Sequence, residues 1–160
     1  MPRVGLGYDS HRFVSGRPLV LGGVPVAYEF GLAGHSDADA VLHAVIDALL
    51  GAAGLGDIGE HFPDRDERYR DADSAALTTH TVGLVRATGL GVVNCDVTIV
   101  TEQPKLGPYK QAMRDRIAHL LRVEPARVNV KAKTNETMGW IGQGEGLAVL
   151  AVVLLDETAG

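Results

Sequence analysis

Residues 36–53 constrain the fold of this chain more than any other segment. Val41, Leu42, Val45, Ile46, Leu49 and Leu50 recur there at steps of three and four, the spacing that gathers side chains on one helical face. The stripe predicts an amphipathic helix that must bury its apolar side against a flat partner. Ser36 or Asp37 is expected to cap it, Asp37 and Asp39 suit its positive end, and Gly54 supplies a stop. Candidate strands surround it. Residues 4–8 read as one strand and 19–26 as a short hairpin about Gly22-Gly23. In residues 92–101, Val93, Cys95, Val97 and Ile99 alternate with Asn94, Asp96 and Thr98, which predicts a half-buried strand. Further helices are expected over 73–87 and 109–121, and strands over 127–134 and 146–155. Residues 55–73 hold no sustained period and read as a long polar loop, a kind of segment that is usually functional or disordered.

This alternation predicts an α/β sandwich: a mixed four- to five-stranded sheet with helices on one face, formed by a single domain over residues 1–160. One sheet face then lacks a cover. Val93, Val97, Ile99 and the doubly apolar run 147–152 need burial, so an oligomer is expected. Aromatic residues make up only 5% of the chain, so Val, Leu, Ile and Ala must build the core. The formal charge of −5 argues against a nucleic-acid surface, and any phosphate site must be local. Cys95 is the one cysteine, which excludes an internal disulfide and points to a reducing, cytoplasmic setting. No apolar run reaches the roughly 18 residues of a membrane span.

Asp9 and His11 stand two residues apart, so on an extended segment both point to one side. His43 lies on the predicted first helix. Two imidazoles and one carboxylate with an open fourth position form a catalytic zinc arrangement; a hydrogen-bonded polar cluster is the alternative. Asp47, four residues after His43, could orient its ring or simply face solvent. His35 and Ser36 precede the helix, where an imidazole, a hydroxyl and free N–H groups can meet an anion. Lys131 and Lys133 share one side of a strand that continues into Thr134, Asn135 and Glu136. They either protect a sheet edge or receive phosphate oxygens, with Glu136 placed to hold a divalent ion. The loop from Thr101 to Pro108, stiffened by Pro104 and Pro108, follows a strand and precedes a helix, where ligands gather in open α/β sheets.

Together these segments resemble the 2-C-methyl-D-erythritol 2,4-cyclodiphosphate synthase family over essentially the whole chain. The resemblance rests on Gly7-Tyr8-Asp9-Ser10-His11, Gly34-His35-Ser36-Asp37-Ala38-Asp39, Leu55-Gly56-Asp57-Ile58-Gly59, His61-Phe62-Pro63-Asp64, Asp96-Val97-Thr98-Ile99, Pro104-Lys105-Leu106, Val130 through Glu136, and Gly142-Gln143-Gly144-Glu145-Gly146. It implies a homotrimeric phosphorus–oxygen lyase with active sites between subunits. Asp9, His11 and His43 would hold zinc, and Glu136 a magnesium or manganese ion on the substrate diphosphate. His35 and Thr134 would stabilise the transition state. Asp57, Ile58, Gly59, Phe62, Pro63, Asp64, Arg65 and Asp66 would bind the methylerythritol phosphate part, and Asp9, His11, His35 and Ser36 would also contact substrate. Thr101, Glu102, Gln103, Pro104, Lys105, Leu106 and Gly107, with Lys133, Thr134, Asn135 and Glu136, would grip the cytidine diphosphate part from a neighbour. Trp140 and Gln143 complete the implied substrate-binding set.

The implied reaction is an intramolecular phosphoryl transfer that closes a cyclic diphosphate and releases CMP. One departure stands out: many bacterial members carry Arg where this chain has Gln143, and Gln lacks the charge that aids binding of isoprenoid diphosphates on the trimer axis. Two other classes fit the residues alone, a metal-dependent phosphohydrolase and a non-catalytic trimeric nucleotide-binding module.

Overall fold

The structure, a computed structural model, describes residues 1–158. In chain order the main elements are β1 (Arg3–Val14), β2 (Leu19–Leu21), β3 (Val24–Val26), β4 (Gly31–Leu32), α1 (Ala40–Ala53), α2 (Ile58–His61) and α3 (Ser74–Ala87). They continue with β5 (Leu90–Val100), α4 (Lys110–Leu121), β6 (Val128–Lys133), α5 (Gly139–Gly142) and β7 (Gly146–Glu157). Five strands form one sheet in the order β4-β1-β7-β5-β6, and β2 with β3 makes a separate hairpin. Among the described residues only β5 and β6 pair in parallel; β7 runs antiparallel to both its neighbours. The expected mixed sheet with its helices on one face is therefore observed.

Two glycines set the central packing. Gly5 and Gly7 lie on one side of β1, and a Cβ on either would fall inside the backbone of α1, at Ala48 and Ala44 respectively. Their missing side chains let α1 rest directly on the strand. Alternation then puts Asp9 and His11 on that same side, in line with the helix. The predicted stripe of α1 is buried, and so are Ala40, Ala44, Ala48, Ala52 and Ala53. The helix is thus enclosed on nearly every side.

Several boundaries differ from the sequence expectation. The first helix begins at Ala40, and its cap is Asp39 rather than Ser36 or Asp37. The Asp39 carboxylate accepts from Leu42 N at 3.0 Å, Gly22 N at 2.9 Å and Gly23 N at 2.7 Å, so one side chain serves both the helix start and the β2–β3 turn. Ala38 before it is left-handed, with φ of 56°, which interrupts any earlier helical turn. Residues 55–73 are also not a plain polar loop. They contain α2 and a 3-10 turn at Glu67–Tyr69, and Phe62 packs with Ile46, Leu50 and Leu77 in a second apolar cluster. Elements this short leave no readable period.

The uncovered sheet face is real, and Leu150 and Val152 of the expected run 147–152 lie on it, but the residues expected from β5 do not. Val97 and Ile99 lie under the helices, and Val93 is displaced by a bulge where β5 slips past β7 between Val92 and Asn94. The open face instead shows Val4, Leu6 and Tyr8 of β1, exposed to 70%, 64% and 54%, beside Leu150 and Val152 of β7.

Gly7→Ala should destabilise the chain by about 3 kcal/mol or more, because the new methyl must displace helix backbone; urea denaturation checks this, and a loss under about 1 kcal/mol would contradict it. Burial also pushes the Cys95 thiol from 9.0 to about 12, so it stays protonated through pH 9. Iodoacetamide at pH 8 should therefore label the native chain at the rate of global unfolding.

Candidate metal centre and active site

Asp9 and His11 extend from the far half of β1, and His43 comes from the first turn of α1 seated above them. Their donor atoms lie within 4.8 Å of one another. Asp9 Oδ2 is 2.7 Å from His11 Nε2 and 3.3 Å from His43 Nδ1. Asp9 Oδ2 and His11 Nε2 are buried, yet neither finds an aligned hydrogen-bond partner. Such orphaned atoms are costly unless something else satisfies them. A cation at their meeting point does so, and two nitrogens with one oxygen suit zinc with a fourth position open.

The opposite nitrogens of both rings are engaged. His11 Nδ1 lies 2.6 Å from the Ala33 carbonyl, which can only accept, so that nitrogen carries the proton and Nε2 keeps its lone pair. His43 Nε2 lies 2.9 Å from Ser74 Oγ and 3.2 Å from Ser36 Oγ. Asp47 does not play the orienting part considered for it. Its carboxylate accepts from Ile58 N at 2.8 Å and ties α2 to α1. Burial opposes the charge of Asp9, but the two imidazoles outweigh it and hold the carboxyl below the ordinary range. Burial also pushes His11 down, and Asp9 and the Ala33 carbonyl more than offset it, so the ring is raised overall.

The centre opens into a cleft of about 170 Å³ walled by His35, Ser36, Ile58, Gly59, Phe62 and Asp64, among others. Asp57 is not in the wall; it caps α2, accepting from Glu60 N at 3.0 Å. Pro63, Arg65 and Asp66 are not in the wall; the Asp66 carbonyl lies 3.2 Å from His35 Nε2, and its carboxylate is held below the ordinary range by Arg68. Arg17, which sequence reading passed over, donates to the carbonyls of Gly34 and Ser36 at 2.5 Å each and so brackets His35. Only its place in the fold, between the first strand and the hairpin, reveals that role.

A second cavity, of about 370 Å³, sits at the ends of β5 and β6. Thr101, Pro104, Lys105, Leu106, Gly107, Lys133 and Thr134 help wall it. Glu102 joins its two loops, accepting from Asn135 N at 2.8 Å and Thr137 N at 3.2 Å, while Thr101 Oγ1 donates to the Gln103 carbonyl at 2.5 Å. Lys133 thus reaches the cavity. Lys131 does not: it pairs with Asp96 at 2.6 Å across an edge strand, the plainer of its two readings. Glu136 is exposed with a left-handed φ of 53°. Trp140 shares a third hollow with Ser10, His11, Arg12 and Glu145, and Gln143 Nε2 donates to the Thr137 carbonyl at 3.2 Å. Among the described residues of one chain, the metal-centre cleft and the second cavity have no wall residue in common.

The site and sheet define a class of protein that comparison makes specific. Residues 2–156 match the model of the YgbB family, and the chain belongs to that family. It is 56% identical over 158 residues to the 2-C-methyl-D-erythritol 2,4-cyclodiphosphate synthase of Geobacillus kaustophilus, covering 99% of this chain and 100% of that one. It is 58% identical over 152 residues to the Symbiobacterium thermophilum synthase, covering 95% and 97%. Among solved structures, a synthase of the same name bound to CDP superposes with a TM-score of 0.88 at 40% identity, over 96% of this chain and 100% of the other. The bifunctional IspDF of Campylobacter jejuni gives a TM-score of 0.96 at 44% identity; 99% of this chain matches 43% of that longer one.

Zinc should bind one per chain in chelator competition, and His43→Ala should weaken it at least about 100-fold. Because the His11 pKa is raised, protons compete early: affinity should fall as pH drops, beginning above the ordinary 6.5. A flat profile from pH 8 to pH 5.5 would contradict the assigned ligands.

Proposed function

We propose that this chain closes 4-diphosphocytidyl-2-C-methyl-D-erythritol 2-phosphate into 2-C-methyl-D-erythritol 2,4-cyclodiphosphate with release of CMP. The observation that carries the reading is the meeting of Asp9, His11 and His43 at the wall of a cleft, in a chain of this family. An oxygen of the 2-phosphate attacks the β-phosphorus. A new P–O bond forms as the bond to CMP breaks, and CMP leaves with the electron pair. No protein nucleophile is needed, since phosphoryl transfer asks chiefly for positioning and charge stabilisation.

The residues divide that work. Asp9, His11 and His43 would hold zinc and Glu136 magnesium or manganese, supplying Lewis-acidic charge beside the reacting and leaving phosphates. His35 and Ser36, fixed by Arg17, present a ring and a hydroxyl to the same cleft. Ile58, Gly59, Phe62 and Asp64 shape the space for the methylerythritol end. Lys133 and Thr134 lie against the rigid 101–107 loop, in a cavity suited to a nucleotide diphosphate.

Ring closure needs both ends of the substrate at one place, whereas these two cavities share no wall residue among the described residues of one chain. The reading therefore places the active site between subunits of a homotrimer. The exposed apolar side of β1 and β7 supports such an assembly, because a contiguous patch of Val, Leu and Tyr is a poor surface to leave in water. The reading also keeps the chain in the cytoplasm, where buried, free Cys95 stays reduced. In the described residues no helix is long and apolar enough to cross a membrane.

Mass analysis of the products tests the chemistry: a cyclic diphosphate with CMP is expected, and linear products with free phosphate would favour a hydrolase. Mixing inactive His43→Ala and Thr134→Ala chains tests the shared site. Random reassembly should restore up to about a quarter of wild-type activity if each site draws on two chains, and none if each chain is complete alone.

A further inference from the structure

We propose that Ser74, held by Asp37, is a positioning residue that fixes which nitrogen of His43 faces the metal. The inference rests on the metal reading and extends it to residues outside the ligand set. Ser74 is the first residue of α3 and is completely buried. Its backbone N–H donates to Asp37 Oδ2 at 2.9 Å, and its hydroxyl donates to Asp37 Oδ1. Both carboxylate oxygens thus take up the donors of one residue.

The direction of the next link follows. A hydroxyl has one proton, and that of Ser74 is committed to a carboxylate that accepts only. Toward His43 the serine oxygen must therefore accept, which puts the ring proton on Nε2, 2.9 Å away. His43 Nδ1 is left with its lone pair, turned toward Asp9 Oδ2 at 3.3 Å. Ser36 Oγ, at 3.2 Å from the same Nε2, is a second oxygen on that side and itself accepts from Ala38 N. His11 is arranged the other way round, with Nδ1 held by the Ala33 carbonyl and Nε2 turned inward. The two rings thus offer opposite nitrogens to one point, each fixed by a partner behind it.

The relay also crosses the fold. Asp37 lies in the loop before α1, Ser74 begins α3 and His43 sits on α1, so Ser74 registers the third helix against the metal centre. Asp73, the neighbouring cap of α3, accepts from Ala75 N at 2.9 Å and has no part in the relay. It provides the control for helix stability alone.

The test uses the full chain loaded with zinc. Nitrogen-15 NMR of the wild type should show metal on Nδ1 of His43, and a proton on its Nε2 that exchanges slowly with water. Metal on His43 Nε2 would overturn the proposal without any variant. Ser74→Ala and Asp37→Asn should weaken zinc by about 10- to 100-fold in chelator competition. They should release the His43 Nε2 proton to fast exchange and leave the His11 Nδ1 signal in place. Asp73→Ala should lower thermal stability yet keep zinc affinity within about twofold. Equal zinc affinity in Ser74→Ala and wild type, or losses in Asp73→Ala as large as those in Ser74→Ala, would contradict the positioning role. A wild type that takes no zinc would instead remove the metal reading itself.

Discussion

The backbone of α1 rests on β1 with nothing but two glycine α-carbons between them, and the geometry of the centre follows from that contact. Gly5 and Gly7 admit the helix backbone at Ala48 and Ala44, and the alanines at 44, 48 and 52 keep its near side narrow. Along the same side of the strand come Asp9 and His11, and along the helix in the opposite sense comes His43. A strand with ordinary side chains at those glycines would hold the helix several ångströms further off, and the three donors would not meet. The site is thus positioned by the most densely packed part of the core, where displacement is costly.

The electrostatics are arranged around that contact. One carboxylate faces two imidazoles, and the pairing of Asp9 with His11 outweighs burial, holding the carboxyl below its ordinary range and the His11 ring above its own. The outer nitrogens are anchored to a carbonyl and to hydroxyls, so the inner lone pairs converge rather than turn to solvent. Around the rim, Arg17 fastens the backbone on both sides of His35 and Asp47 fastens α2. None of these anchors touches the point where the donors meet, yet each fixes an element that does or that walls the cleft.

Much of this was legible in the sequence, for identifiable reasons. The stripe from Val41 to Leu50 announced α1, and the two-residue step from Asp9 to His11 announced a shared side, because both depend only on local periodicity. The alternation of strands and helices gave the mixed sheet. What failed depended on distant partners. Asp39 caps α1 in place of Ser36 because the β2–β3 turn also binds it, and the order within residues 55–73 comes from Phe62 meeting α1 and α3. The bulge after Val92 shifted which residues of β5 face the helices, and no pattern of side chains marks it. Ser74 and Arg17 act on residues far away in sequence, so nothing near them signals the role.

Anomalous diffraction at the zinc edge, from crystals grown with zinc and CDP, would locate both the metal and the nucleotide. The expected result is one zinc per chain bonded to Asp9 Oδ2, His11 Nε2 and His43 Nδ1, with the nucleotide held against residues 101–107 and 133–136 of an adjoining subunit. Zinc absent from those three atoms, or a nucleotide bound wholly within one chain, would contradict it.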